Sequence, residues 1–148
     1  MTTPRPTVSV GALASVHDAG RAAWDAVAGQ GIPFLHWGFL SALEDAGSLG
    51  SRAGWTTLHF AAKRGDELAA VAPAFVKTHS MGEFVYDWAW AEAAERIGAR
   101  YYPKLVLAAP FSPVTGERLL VAPSLDPAER VALKRALLVR AVEAAREL

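Results

Sequence analysis

The alternation of hydrophobic and polar positions divides the chain into helical and extended segments. Helical spacing or composition predicts four helices, at residues 15–28, 36–46, 89–97 and 126–148. Strand patterns predict extended segments at residues 7–10, 55–63, 68–76, 104–108 and 118–121. This order of elements predicts an α/β (α+β) fold in which helices pack on a sheet that contains an antiparallel hairpin.

Local motifs predict where two of the helices begin. Ser15 followed by Asp18 resembles a capping box for the first helix. Asp126 caps the last helix, Pro127 takes its first position, and Glu129 completes a second capping box. Because each motif satisfies free backbone N–H groups, these two starts are predicted from local chemistry alone.

The most clearly predicted β element is a hairpin. A turn composition at residues 64–67 joins the alternating segment 55–63 to the apolar segment 68–76. The second segment is almost continuously apolar, so we expect both faces of this strand to be covered. Pro73 lies within it and predicts a bulge or an edge, because proline cannot donate a ladder hydrogen bond.

Composition and charge exclude several classes of protein. A chain of 148 residues with 52% hydrophobic and 20% charged residues is typical of one globular domain. We therefore expect a flexible leader at residues 1–6 and a single domain at 7–148. The formal net charge of zero argues against DNA binding, and no apolar run is long enough for membrane insertion. The absence of cysteine excludes disulfides and thiolate sites, and a cytoplasmic location is expected.

Polar and aromatic side chains are interleaved most densely between residues 77 and 104. His79, Ser80, Glu83 and Asp87 could form a proton-handling cluster, because imidazoles and carboxylates are the usual general acids and bases. The alternative is a polar loop with a local cap and solvated acids.

The aromatic residues of the same segment also have two interpretations. Tyr86, Trp88 and Trp90 could wall a ligand groove or face the core, while for Phe84 the core is favoured. They precede a second group of polar side chains, formed by Tyr101, Tyr102 and Lys104, just before a predicted strand. This group could position a substrate through phenol and amine groups, or could be half-buried tyrosines beside a solvated lysine.

Several familiar site patterns are missing from the sequence. His36 and His59 lie in apolar surroundings without a second ligand at metal spacing, so no metal site is predicted. The phosphate loop, the Rossmann glycine pattern and the nucleophile elbow are also missing.

Longer blocks of the sequence resemble one family. The segment HSMGEFVYDWAWAEAAERIGARYYPKL, followed by PFSPVTGERLL, is similar to the bacterial FemAB-like proteins, as is the upstream PFLHWGFLSALEDAGSLGSRAGWTTLHF. These proteins are also described as N-acyltransferases or as peptidoglycan biosynthesis and recognition proteins. The resemblance covers about residues 30–122.

The resemblance implies a GNAT-like fold with a mixed, mainly antiparallel sheet and a role in peptidoglycan metabolism. It also implies acyl or aminoacyl transfer onto the amine of a small-molecule or peptide-like acceptor, with acyl-CoA or aminoacyl-tRNA as the donor and no permanently bound cofactor. The pyrophosphate-binding turn of many GNAT enzymes is missing here. Family members are usually more than twice as long, so we expect this chain to correspond to their N-terminal half.

The last helix carries a predicted apolar stripe whose partner the resemblance leaves open. We expect another copy of the chain or a further C-terminal domain to cover it. The stripe consists of Val131, Leu137, Leu138, Ala141, Val142, Ala145 and Leu148.

Two functional hypotheses follow from the sequence. The first is an N-acyltransferase, or its acceptor-binding half, in which Asp87 or Glu83 is the base. In this hypothesis the remaining candidates bind substrate: His79, Ser80, Tyr86, Trp88, Trp90, Tyr101, Tyr102 and Lys104. The second is a non-catalytic module that recognises a peptide, a cell-wall fragment or a partner subunit.

Overall fold

The structure is a computed structural model that describes residues 7–148, so the predicted leader at residues 1–6 lies outside the described part. The strands are β1 (Val8–Leu13), β2 (Trp55–Thr57), β3 (His59–Arg64), β4 (Glu67–Ala72), β5 (Ala74–Lys77), β6 (Lys104–Leu107) and β7 (Leu120–Val121). The α-helices are α1 (Arg21–Ala28), α2 (Trp37–Asp45), α3 (Trp88–Arg96) and α4 (Pro127–Arg146). Within residues 7–148 no helix is both long and apolar enough to cross a membrane.

The strands form two antiparallel sheets, which confirms the predicted α+β class. One sheet has the order β1-β3-β4-β7 and the other has the order β2-β5-β6. All strand pairs of the described chain are antiparallel, so the parallel part of the expected mixed sheet is not found there.

The predicted hairpin is present, but its two arms pass from one sheet to the other. Leu58 separates β2 from β3, and Pro73 separates β4 from β5. Pro73 has no N–H for the ladder, and the neighbouring Ala74 N–H donates to His59 Nδ1 (3.1 Å) instead of to a backbone carbonyl. The predicted irregularity at Pro73 is therefore the point at which this arm of the hairpin leaves the larger sheet and joins the smaller one.

The larger sheet is covered on both faces, as expected for β4. On one face, α1 and α2 contribute Trp24 and Leu40 to a core that also contains Val71. On the other face, α4 packs Leu137 against a second cluster that includes Phe60. The domain therefore has helices on both sides of the sheet formed by β1, β3, β4 and β7.

The prediction of one continuous first helix at residues 15–28 is wrong. Ser15 and Asp18 do form the capping box, but it begins a short 3-10 turn at Val16–Asp18. Gly20 then has a φ of 75°, outside the helical region, and α1 begins after it at Arg21. The second and last helices match their predicted segments closely.

The extended segments differ from prediction mainly in their ends. The first strand continues to Leu13, and the last is reduced to Leu120–Val121. The aromatic residues at every second position from Phe84 to Trp90 predict an extended entry into a short helix near Trp88; residues 84–87 form no strand, and α3 does begin at Trp88.

The predicted apolar stripe of α4 is partly wrong. Leu137 and Ala141 are buried, but Val131, Leu138 and Val142 are 66%, 46% and 48% exposed. The buried face instead consists of Leu133, Leu137, Ala141 and Ala144. Apolar residues occur all around this helix, so packing on the sheet, rather than composition, decides which face is buried.

Candidate functional site

The polar side chains of the candidate segment meet at the end of the smaller sheet. Strands β5 and β6 are antiparallel neighbours, and their register places Lys77 directly opposite Lys104. Two like charges in opposite positions repel each other. The connection between these strands supplies Glu83 and Asp87, whose carboxylates lie beside the two amines.

Asp87, the residue before α3, is surrounded by donors. Its Oδ1 accepts hydrogen bonds from Ser80 Oγ (2.5 Å) and from the Tyr102 hydroxyl (2.6 Å). Its Oδ2 accepts a hydrogen bond from Lys104 Nζ. The two hydroxyl groups are also 2.7 Å apart. We call Ser80, Asp87, Tyr102 and Lys104 the Asp87 cluster.

The hydrogen bonds of the Asp87 cluster change its protonation equilibria. Burial by itself raises the pKa of Asp87, but the bonds from Lys104, Ser80 and Tyr102 outweigh it and hold this pKa well below its usual range. Burial and the bond to Asp87 raise the pKa of Tyr102 to about 12. Burial lowers the pKa of Lys104, but the bond to Asp87 and the nearby carboxylates raise it overall. The cluster is thus a stable ion pair at neutral pH, and Asp87 is a weak base in it.

Lys77 forms the second half of the charged site. Its side chain is fully buried, and its Nζ donates to the Met81 carbonyl (2.6 Å) and lies 4.1 Å from the ring centroid of Trp55. Burial is the main cause that lowers the pKa of Lys77. Glu83 Oε1 lies 3.7 Å from Lys77 Nζ and 3.3 Å from Lys104 Nζ, so this carboxylate bridges both amines.

Lys77 and Trp55 were not among the predicted site residues. The available signal was a lysine at the end of an apolar strand, where a charged side chain requires a partner. The identity of that partner depends on the β5–β6 register, which has no local signature in the sequence.

An open groove of about 650 Å³ lies against the Asp87 cluster. Ser80 and Tyr102 line it and belong to the cluster as well. Trp88, Tyr101 and the two glutamates of α3, Glu92 and Glu95, are also among its walls. Arg100 lines the groove too. The groove therefore offers a ligand carboxylates, a guanidinium group and aromatic surface.

The aromatic residues of this region are largely exposed. Trp88 and Trp90 are 58% and 72% exposed, and the rings of Tyr86 and Trp88 are 5.3 Å apart. Phe84 is 69% exposed, so the favoured prediction that it faces the core is wrong. None of the residues of α3 is buried, and the aromatic surface is therefore open to solvent.

His79 lies apart from the Asp87 cluster. Its Nδ1 accepts from the Met81 N–H (3.2 Å), and its ring packs against Gly54, where an added Cβ would lie 2.2 Å from Nε2. Neither the His79 side chain nor the Trp90 side chain contacts Asp87 or Lys104 among the hydrogen bonds and ion pairs described for residues 7–148, although the Trp90 backbone N–H donates to the Asp87 carbonyl. The same residues contain no group of three histidine or acidic side chains that could hold a metal ion.

The comparisons with known proteins identify one family. The family model named FemAB-like, described as peptidoglycan biosynthesis/recognition, matches residues 15–147, which is most of the chain. No curated protein and no solved structure matches. The chain therefore belongs to the FemAB-like family, and its role is a transferase or recognition role related to peptidoglycan.

Proposed function

We propose that the chain binds an amine-bearing, peptide-like acceptor from peptidoglycan and takes part in N-acyl transfer to that amine. The observation that carries the proposal is the groove whose floor includes Ser80 and Tyr102 of the Asp87 cluster. A peptide-like acceptor carries both ammonium and carboxylate groups. Glu92 and Glu95 can receive the first, and Arg100 can receive the second.

The Asp87 cluster keeps the floor of this groove in place. The Tyr102 and Ser80 hydroxyls are held by Asp87, and Lys104 holds Asp87 in turn. Such a set of fixed polar groups orients a ligand without large reorganisation. Trp88 adds flat apolar contact for the aliphatic part of an acceptor.

In the transfer reaction, the acceptor amine attacks the acyl carbonyl carbon and a C–N bond forms. The ester bond of an aminoacyl-tRNA, or the thioester bond of an acyl-CoA, breaks, and the amine proton passes to a base. Asp87 is a poor base because three donors lower its pKa, so Glu83 is the remaining carboxylate candidate for this role, from a position outside the residues that line the groove. Glu83 Oε1 is ion-paired with Lys104 Nζ (3.3 Å) and Lys77 Nζ (3.7 Å), so taking up the amine proton would require this pairing to loosen. The two acyl donors, aminoacyl-tRNA and acyl-CoA, are cytoplasmic molecules, so the proposal places the reaction in the cytoplasm. We also propose that the acyl site has a GNAT-like arrangement.

Binding to the groove is tested by calorimetric titration with muropeptides. The variant Trp88→Ala removes the aromatic wall, so we expect affinity about tenfold weaker. Trp90→Ala is the matched control, because Trp90 is on the same helix and is exposed, but is not among the residues that line the groove. Equal losses of affinity in both variants would show that the acceptor binds the exposed aromatic surface as a whole and not the groove. The absence of binding to the parent protein would overturn the proposal.

Transfer is tested separately by mass spectrometry of the acceptor after incubation with acyl-CoA or aminoacyl-tRNA. We expect a mass increase that Glu83→Gln reduces more than Asp87→Asn does. An acceptor that binds but stays unchanged with both donors would favour the alternative, a recognition module without turnover. The low proton affinity of Asp87 and the missing pyrophosphate turn both support that alternative.

A further inference from the structure

A second cavity, of about 430 Å³, lies beside β7 at one edge of the larger sheet. Its lining includes residues of α1, of β7 and of the first turn of α4. It shares no lining residue with the groove beside α3, so it is a separate place on the molecule. Pockets for small molecules usually measure about 300–1,000 Å³, and the volume of this cavity lies in that range.

The buried part of the lining is apolar. Val27 of α1 and the two residues of β7, Leu120 and Val121, are 4%, 6% and 5% exposed. Ile32, which is half-buried, lines the cavity beside them. An apolar group that enters the cavity therefore leaves water for contact with aliphatic side chains, which favours binding.

The backbone of Val121 offers one donor and one acceptor at this edge. In the sheet order, β4 pairs with β7 on one side and no strand of residues 7–148 pairs with it on the other. The Ala122 N–H donates to the Ala69 carbonyl (2.9 Å), and Val121 lies opposite Ala70. Because hydrogen-bonded and non-hydrogen-bonded pairs alternate in an antiparallel ladder, Val121 and Ala70 form a non-hydrogen-bonded pair. The Val121 N–H and C=O therefore point away from β4, toward the edge at which this residue lines the cavity.

The cavity also carries one uncompensated positive charge. Glu117 lines it, but both of its carboxylate oxygens accept from Lys134 Nζ (2.9 Å each). Arg130 lines it as well, and its guanidinium has no hydrogen bond or ion pair with residues 7–148. The neighbouring Glu129 is paired with Arg64 instead (3.3 Å). Since a guanidinium donates to both oxygens of a carboxylate, the charge on this cavity favours a ligand with one carboxylate.

One chemical class matches these groups together. In an N-acylated α-amino acid, an amide N–H and a carboxylate are attached to the same carbon, as N–H and C=O are in a strand residue. The amide N–H can donate to the Val121 carbonyl, and the carboxylate can accept from the Val121 N–H and from Arg130. An apolar side chain on the same carbon would contact Val27 and Leu120.

We propose that this cavity binds an N-acylated apolar α-amino acid, the chemical group found at the carboxyl end of a peptide. The ligand pairs with β7 as a strand of one residue, and Arg130 neutralises its carboxylate. The inference does not depend on the acyl transfer or on the groove beside α3.

The test is a titration of the ¹⁵N-labelled protein with N-acetylvaline, followed through the backbone amide signals. We expect a saturable shift of the Val121 signal. The Gly50 amide donates to the Trp55 carbonyl (2.7 Å), and its signal is a remote control that should not move. N-acetylvalinamide keeps the amide and the apolar side chain but lacks the carboxylate, so it should bind about tenfold more weakly.

The variant Arg130→Gln removes the cation and should also weaken the binding of N-acetylvaline about tenfold. Arg135→Gln is the matched control, because Arg135 is exposed on the same helix but is not among the residues that line the cavity. The proposal is overturned by a Val121 signal that does not move, by equal binding of N-acetylvalinamide, or by equal losses in the two variants. Such a result leaves the groove proposal untouched, since that proposal is judged by Trp88→Ala and Trp88 does not line this cavity.

Discussion

At the scale of single residues, the register of two strands brings two lysines together, and this pair requires nearby negative charges. Lys77 and Lys104 are opposite each other in β5 and β6, and each alone would be a buried or half-buried amine. The carboxylates of Asp87 and Glu83, which lie on the connection between the two strands, balance these positive charges. Because every member has at least one oppositely charged neighbour, the loss of one carboxylate should affect the whole group.

Asp87→Asn should therefore lower the free energy of unfolding at neutral pH by roughly 2 kcal/mol. This loss is smaller than the loss expected for a fully buried ion pair, because Lys104 retains its ion pair with Glu83 in the variant. The pKa of Asp87 is lower in the folded protein than in the unfolded chain. Its stabilisation is thus present above about pH 3.9 and is lost as the pH falls through the folded value. Urea unfolding measures the difference. Glu92→Gln, on the exposed face of α3, should change stability by less than about 0.5 kcal/mol.

The protonation of Tyr102 provides a second prediction about the same cluster. Its pKa of about 12 depends on burial and on the bond to Asp87. In Asp87→Asn the negative charge is gone, so the Tyr102 pKa should fall toward the ordinary value of about 10. ¹³C-tyrosine NMR can follow the phenol. A Tyr102 pKa that is unchanged in the variant would show that Asp87 does not hold this hydroxyl.

His59 should make stability depend on pH near neutrality. Burial lowers the pKa of His59 to about 4. The unfolded chain therefore binds this proton first, and stability is full above about pH 6.5 and declines as the pH falls toward 4. The shift of about 2.5 units corresponds to roughly 3 kcal/mol at most. His59→Gln should flatten the pH dependence of urea unfolding, whereas Phe75→Leu, which alters a ring beside it, should lower stability without changing the slope.

At the scale of elements, α3 and α4 differ in how the rest of the chain uses them. The helix α4 places four residues in the core of the larger sheet, whereas α3 places none in any core. Helical pattern alone therefore predicts that each helix exists and not what it packs against. The burial of α4 provides a direct test because two adjacent leucines have opposite environments.

Leu137→Ala should cost about 2–5 kcal/mol, since the side chain is completely buried and its removal leaves a cavity. Leu138→Ala removes the same atoms from a side chain that is 46% exposed, and should cost less than about 1 kcal/mol. Chemical denaturation of both variants compares them directly. Equal costs would mean that the helix is rotated relative to the described packing.

At the scale of the whole molecule, stability should be unevenly distributed. The strands β3 and β4 lie between helices on both faces, while α3 and its aromatic residues lie open on the surface. Elements with little buried apolar surface open at low free energy. The groove that we propose for the acceptor is thus built on the least protected helix of the described chain.

Amide hydrogen exchange should accordingly be faster in α3 than in β3 and β4, by a factor on the order of 100 or more. Mass-spectrometric exchange on peptides from these segments measures the difference. A muropeptide that occupies the groove should slow exchange in α3 and leave β4 unchanged. If α3 is as protected as β4 without ligand, an interaction that covers its surface already exists in solution.

The sequence alone determined the features that depend on neighbouring residues. The cap at Asp126, the turn at residues 64–67 and the second helix were predictable because their hydrogen bonds are local. The family resemblance likewise came from contiguous blocks of residues, and the family match confirms it.

Only the tertiary structure decided how distant segments meet. The meeting of Lys77 with Lys104, and of Asp87 with Tyr102, depends on the register of β5 and β6. The buried face of α4 and the division of the sheet at Pro73 likewise depend on packing between distant segments. Register and packing are cooperative properties of the folded chain, so a list of polar and aromatic residues could contain the site without showing which of its members touch.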